Sequence, residues 1–165
     1  MQPNNQHNTT MNYPNQDPAY TDFIRTVVAT QTVYTLQDSE DYFAECPSEV
    51  YENRFGEPES VYCFWHNATA ANECRQEEWA DYRTVSIGLV DFMYDILIDM
   101  DQDQVLAGVA FDPQLYGTEI EPVELLGDLL DEMAFSGRDN FPEFDELQSY
   151  RLEWERIMAH QEKLH

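Results

Sequence analysis

Asp91, Asp95 and Asp99 recur at every fourth residue, the interval that brings side chains onto one face of an α-helix. Carboxylates so placed stand about 6 Å apart, a spacing comparable to that of successive phosphates on a nucleic-acid strand. Such a face can keep a protein in solution, or it can occupy a basic groove on another molecule. Like charges four apart destabilise a helix by roughly a few tenths of a kcal/mol per pair. A face made only for solubility would intersperse Lys, yet no Lys or Arg occurs between Arg83 and Arg138. Asp101 and Asp103 continue the negative run. The next helical segment repeats it, with Leu126, Leu129, Leu130 and Met133 inward and Glu124, Asp128, Asp131 and Glu132 elsewhere. These nine acids are the candidate partner-binding residues.

Other groupings carry less chemistry. Asp99-Met100-Asp101-Gln102-Asp103 resembles the first half of a calcium loop, but Gln104 stands where the turn needs Gly and Ala110 where a bidentate Glu is needed. Cys63, His66 and Cys74 lack a fourth ligand at a usual spacing, so core cysteines and a loop histidine are expected. Glu73, Glu77 and Glu78 could do acid–base work, but nothing selects them among the other carboxylates. No Gly-rich phosphate loop, nucleophile elbow or HExxH motif appears. The expectation is no catalytic residue, no metal site and no cofactor.

The charge behind these groupings is extreme. In 165 residues, 33 Asp and Glu face 8 Lys and Arg, a formal net charge of −25. Such a surface repels nucleic acid and anionic membrane and attracts basic protein surfaces. Solubility, or adaptation to salt, is the plainer alternative. The aromatic fraction of 13% and hydrophobic fraction of 42% are those of a folded chain. Three cysteines, Cys46, Cys63 and Cys74, form no regular framework, and neither a signal peptide nor a spanning segment is legible. A cytoplasmic, reducing setting is expected.

The elements that position these residues centre on Val61 to Asp81. Val61-Tyr62-Cys63-Phe64-Trp65 reads as a buried strand. Asn67 is a helix cap, and Ala68, Ala71, Cys74, Arg75, Glu78 and Trp79 follow at helical spacing. Trp65 and Trp79 are expected to anchor the main core. Before this unit lie a disordered arm (1–17) rich in Asn, Gln, Pro and Thr, a helix from Pro18 to about Thr30, and a strand Thr32 to Leu36. A partner strand at Tyr42 to Cys46 and a loop from Pro47 to Ser60 complete that half. After it come a strand Thr84 to Ile87 and a helix Leu89 to about Met100 burying Leu89, Phe92, Met93, Ile96 and Leu97. An apolar central strand within Val105 to Phe111, an edge strand Thr118 to Ile120 and a helix Pro122 to Met133 follow. The last helix, from Pro142 towards Leu164, carries a seam of Leu147, Tyr150, Trp154, Ile157, Gln161 and Leu164. That seam either docks on the domain or meets a partner or a second copy.

This mixture of hairpins and crossovers predicts an α+β fold. A single mixed sheet is flanked by helices in an acidic domain over 18–135, followed by a C-terminal amphipathic helix over 140–165. The order of Val33-Tyr34-Thr35-Leu36, Phe64-Trp65, Ala71 through Glu78-Trp79, the Ser86 to Phe92 step, Val105 to Val109 and Glu121-Pro122 resembles the domain of unknown function 2750 family, over roughly residues 20–133. That resemblance implies a compact bacterial α+β domain and carries over no catalytic residue.

The sequence thus leads to a non-enzymatic, highly acidic binding protein that covers the basic, nucleic-acid-binding surface of a partner protein. An immunity protein against a nuclease toxin and a nucleic-acid mimic blocking a defence nuclease both fit. The alternatives are a soluble protein with an acid-adapted surface, or an enzyme with an unrecognised site.

Overall fold

The computed structural model describes residues 17–164; all of the expected N-terminal arm except Asp17 lies outside them. Helix α1 (Pro18–Thr30) starts at Asp17, whose carboxylate accepts from the Ala19 N–H at 3.0 Å, with Pro18 in the first turn. It buries Tyr20, Phe23, Ile24, Val27 and Val28 and stops where Gln31 turns left-handed.

The chain then forms one mixed six-stranded sheet: β1 (Thr32–Gln37), β2 (Glu45–Glu52), β3 (Pro58–Trp65), β4 (Arg83–Gly88), β5 (Leu106–Val109) and β6 (Thr118–Ile120). The order across it is β4-β1-β3-β5-β6, with β2 also pairing with β3. The β3–β5 pair is parallel and all the others are antiparallel. The α+β fold with one mixed sheet is as expected.

The β2 region differs from expectation. Phe43 makes only an isolated bridge to Gln37, and the stretch read as a loop after Pro47 is a β2–β3 hairpin instead. Its turn is held by the Asn53 side chain, which accepts from Phe55 N at 2.8 Å and Glu57 N at 3.0 Å, and by Gly56 at φ 78°. An edge strand tolerates Pro and exposed charge, so Pro47, Pro58 and the glutamates hid it.

Side chains alternate along β3 and build a core on each face of the sheet. Phe64 joins Tyr20, Phe92, Leu126 and Leu129 in the larger core beneath α1, a helix α3 (89–103) and a helix α4 (Pro122–Phe135). Val61, Cys63 and Trp65 point the other way, to a smaller core beneath α2 (Ala68–Glu73). Trp65 and Trp79 meet edge to face with centroids 6.2 Å apart, but they anchor this second core rather than the main one. The Trp65 Nε1–H donates to the Phe111 carbonyl at 2.9 Å, and the Cys74 thiol donates to the same oxygen at 3.4 Å. Asn67 caps α2 as read, accepting from Ala70 N at 2.7 Å. The helix ends at Glu73 and not near Trp79: the chain leaves the helical conformation at Cys74, Glu77 takes φ 55°, and a short 3₁₀ turn (Glu77–Trp79) carries the tryptophan.

Helix α3 spans 89–103 and holds a π-helical stretch at Phe92–Leu97 between the α-helical segments Leu89–Asp91 and Ile98–Asp103. A π turn takes one residue more than an α turn. The buried positions are accordingly Leu89, Phe92, Met93, Leu97 and Met100, while Ile96 is only partly covered. The last helix, α5 (Phe144–Lys163), divides its seam. Leu147 is fully buried, and Phe144, Tyr150 and Trp154 pack on the main core. Ile157 and Leu164 are exposed.

Candidate functional site

The docked half of α5 makes one wall of an acidic groove. Arg151 lies across α4 at Gly127, where an added Cβ would stand 3.0 Å from its Nε. Its guanidinium donates both to Asp131, at 2.8 and 2.9 Å, and to Glu155, at 2.8 Å. That two-pronged pair fixes α5 to α4 and holds Arg151 charged, its pKa well above the usual arginine value. A mid-helix glycine is unfavourable by about 1 kcal/mol relative to Ala; here it leaves room for the guanidinium.

The opposite wall is the β2–β3 hairpin. Ser48 donates its hydroxyl to Glu119 of β6, and the Glu49 N–H donates to the other oxygen of the same carboxylate at 3.1 Å. Between the walls lies a cleft of about 520 Å³, lined by Tyr51, Glu119, Glu121, Glu124, Asp128 and Arg151 among others. An adjoining hollow of about 430 Å³ shares Tyr51 and Glu121 and adds Glu52, Glu59, Asp101 and Trp154. A third, of about 700 Å³, shares Glu52 and Glu59 and brings in Asp103 and Arg54. Neighbouring hollows share lining residues, and carboxylates far outnumber cations along this side of the protein.

Its electrostatics are those of uncompensated negative charge. Asp128 is buried, and loss of solvent pushes its pKa from 3.8 to about 6, although the Tyr20 hydroxyl donates to it. Desolvation raises the pKa of Glu121, with Glu124, Asp101 and Glu59 adding repulsion. Desolvation also raises Glu124. The inner cation, Arg151, is already engaged by Asp131 and Glu155.

The nine acids singled out from sequence separate into groups. Asp91, Asp95 and Asp99 are exposed on α3, as expected. The bond from the Tyr94 hydroxyl to Glu146, at 2.7 Å, sets that helix beside the start of α5. Asp101 accepts from the Tyr150 hydroxyl at 2.6 Å and, with Asp103 and Glu124, reaches the groove. The outward placement of the remaining three is corrected. Asp128 and Glu132 are buried, and Asp131 is clamped by Arg151. Helix α4 is covered by α1 on one side and α5 on the other, so its polar stripe is not a free face. Glu119, Glu121, Glu155 and Tyr51 were not singled out as site residues, and Trp154 was read only as part of the α5 seam. Nothing but the general surplus of acid marked the three glutamates, because the groove is assembled from distant segments.

The calcium-like stretch is helical through Asp103 and ends at a left-handed Gln104, so it forms no ligand loop. Cys63 and Cys74 are buried, as expected. Among the described residues no group of three His, Cys, Asp or Glu could hold a metal ion, and no helix is long and apolar enough to cross a membrane.

The model of a family described as protein of unknown function (DUF2750) matches residues 20–129. The chain belongs to this family. No curated protein and no solved structure matches it. The DUF2750 match runs from α1 into α4 and ends before α5, so Arg151, Trp154 and Glu155 lie beyond the matched segment. One wall of the groove is therefore outside the part that defines the family here.

Proposed function

We propose that this DUF2750 chain is a non-enzymatic binding protein whose acidic groove receives the basic, nucleic-acid-binding surface of a partner protein. An immunity protein against a nuclease toxin, or a nucleic-acid mimic that blocks a defence nuclease, would act in this way in the cytoplasm without a cofactor. The observation that carries the reading is the lining of the cleft. Glu119, Glu121 and Glu124 border it, and its one cation among the described residues, Arg151, is already engaged by Asp131 and Glu155, while desolvation raises the pKa of Glu121 and Glu124. Charge held there is unfavourable in the free protein, and an incoming Arg or Lys relieves it. Trp154 and Tyr51 offer aromatic faces for the stems and heads of such side chains. Long-range attraction speeds encounter and makes it salt-sensitive. The exposed Asp91, Asp95 and Asp99 extend the negative field, and the uncovered Ile157 and Leu164 leave room for a second copy at the end of α5.

The test starts from the partner captured from the native host. It is titrated at two ionic strengths against the parent and against Glu59→Gln/Glu121→Gln/Glu124→Gln. The variant should bind about tenfold or more weakly, with the larger loss at low salt. Equal affinity at both salts removes the groove from the interface.

A further inference from the structure

We propose that Cys46 and Cys63 are a peroxide-sensitive thiol pair that closes to an intramolecular disulfide between β2 and β3. In the hairpin Cys46 stands opposite Val61, which makes Cys63 its diagonal neighbour two residues on, on the same face of the sheet. Their sulfurs lie 3.8 Å apart.

The two thiols are differently placed. Cys46 is partly exposed and lines an open hollow of about 400 Å³ together with Glu45, Pro47, Glu57 and Pro58. A small oxidant can reach it there. Cys63 is fully buried behind it. The hydrogen bond between the two sulfurs favours thiolate at Cys46 against partial burial and the charge of Glu119, Glu45 and Glu49, while burial pushes Cys63 the other way. Cys46 is thus the attacking sulfur and Cys63 the resolving one. Cys74 takes no part: its thiol donates to the Phe111 carbonyl, and burial raises its pKa to about 11.

The chemistry balances with hydrogen peroxide as oxidant. The Cys46 thiolate attacks one peroxide oxygen, the O–O bond breaks, and the departing hydroxide takes a proton to become water. Cys46 is left as a sulfenic acid. Cys63 loses its proton and attacks the Cys46 sulfur; the S–O bond breaks and a second water leaves. Two thiols are oxidised by two electrons and one peroxide is reduced to two waters. An S–S bond of about 2.05 Å requires the sulfurs to close in by nearly 2 Å. Cys46 directly precedes Pro47, which has no N–H to anchor the ladder, and the β2–β3 register breaks only beyond that proline. Glu45, Glu49 and Glu119 surround Cys46 with negative charge, which disfavours capture by an anionic thiol such as glutathione. The internal partner is thereby favoured. This inference stands independently of the proposed binding role.

The test treats the full chain with equimolar hydrogen peroxide, alkylates remaining thiols in denaturant, and maps peptides by mass without reduction. The parent should yield a peptide pair joined through Cys46 and Cys63, with Cys74 alkylated. In Cys63→Ala the Cys46 sulfenic acid should persist and be trapped by dimedone, several-fold more than in the parent. In Cys46→Ser, a near-isosteric change at a partly buried site on the edge of the second core, Cys63 should stay alkylatable. Circular dichroism verifies that each variant is folded. If Cys63→Ala does not fold, the Cys46→Ser result and the parent map decide. A Cys63–Cys74 pair, a dimer linked through Cys46, sulfinic acid at Cys46 in the parent, or three alkylated thiols would overturn the proposal.

Discussion

Replacing Asp128 by Asn should stabilise the protein near neutral pH. Asn has the size of Asp, and its carbonyl can still accept the Tyr20 hydroxyl. What it removes is the burial of a charge. The carboxyl has a folded-state value of about 6 against an ordinary 3.8, so the folded chain holds its proton more tightly than the unfolded chain does. Stability contributed by this group is therefore greatest below about pH 4. It is lost as pH rises towards 6 and stays lost above. With each pKa unit worth roughly 1.4 kcal/mol, the full difference is about 3 kcal/mol at pH 7. Urea unfolding followed by tryptophan fluorescence at intervals from pH 4 to 7.5 measures it. The parent should be more stable at pH 5 than at pH 7, because Glu121 and Glu124 are shifted the same way. The variant should gain most at pH 7 and show a flatter profile. If the variant is less stable than the parent at pH 7, the charged hydrogen bond from Tyr20 outweighs desolvation, and the reading of this site is wrong.

Trp65→Ala should destabilise by about 3–5 kcal/mol, as for other buried aromatics, and Trp65→Phe by about 1–3 kcal/mol through the lost bond to the Phe111 carbonyl; thermal melts check both. Arg151→Met should destabilise by about 1–2 kcal/mol, below the range for fully buried pairs because Asp131 and Glu155 keep solvent contact. Amide hydrogen exchange should then rise first in α5. Asp91→Asn/Asp95→Asn/Asp99→Asn should raise helix stability by roughly a few tenths of a kcal/mol per relieved pair; a clear drop in melting temperature would mean these carboxylates hold structure.

The elements that announced themselves were those with a local signal. Asp17-Pro18 and Glu121-Pro122 mark helix starts, and the apolar runs of β3 and β5 mark strands buried on both faces. The β2 strand carried no such signal: Pro47 and its glutamates read as loop, and only the edge position next to β3 makes them acceptable as strand. The π stretch of α3 was hidden for a different reason, since its buried positions differ from an α pattern by the exchange of Ile96 for Met100. The Trp65–Trp79 pair was found, but not which core it serves, because a strand buried on both faces leaves open which side each residue takes.

The acidic site was legible only where it lies on one element. Asp91, Asp95 and Asp99 could be placed by helical spacing alone. Glu59, Glu121 and Glu155 could not, since separate segments bring them beside Asp101, Asp103 and Glu124, which the sequence did single out. The same assembly explains the error on α4, where a helix assumed to have one covered face proved to have two. The desolvation that marks the groove also links its stability to its use. Glu121 and Glu124 oppose folding when ionised, so Glu121→Gln/Glu124→Gln should melt higher than the parent. If the groove receives a basic surface, those same carboxylates gain most from the arriving cations, and the stabilised variant should bind its partner less tightly. A protein whose acidity serves solubility alone would gain the stability and lose no binding. Melting temperature and affinity measured on one double variant therefore separate the two readings: opposite changes belong to a binding groove, and a rise in stability with unchanged affinity belongs to a solvated surface.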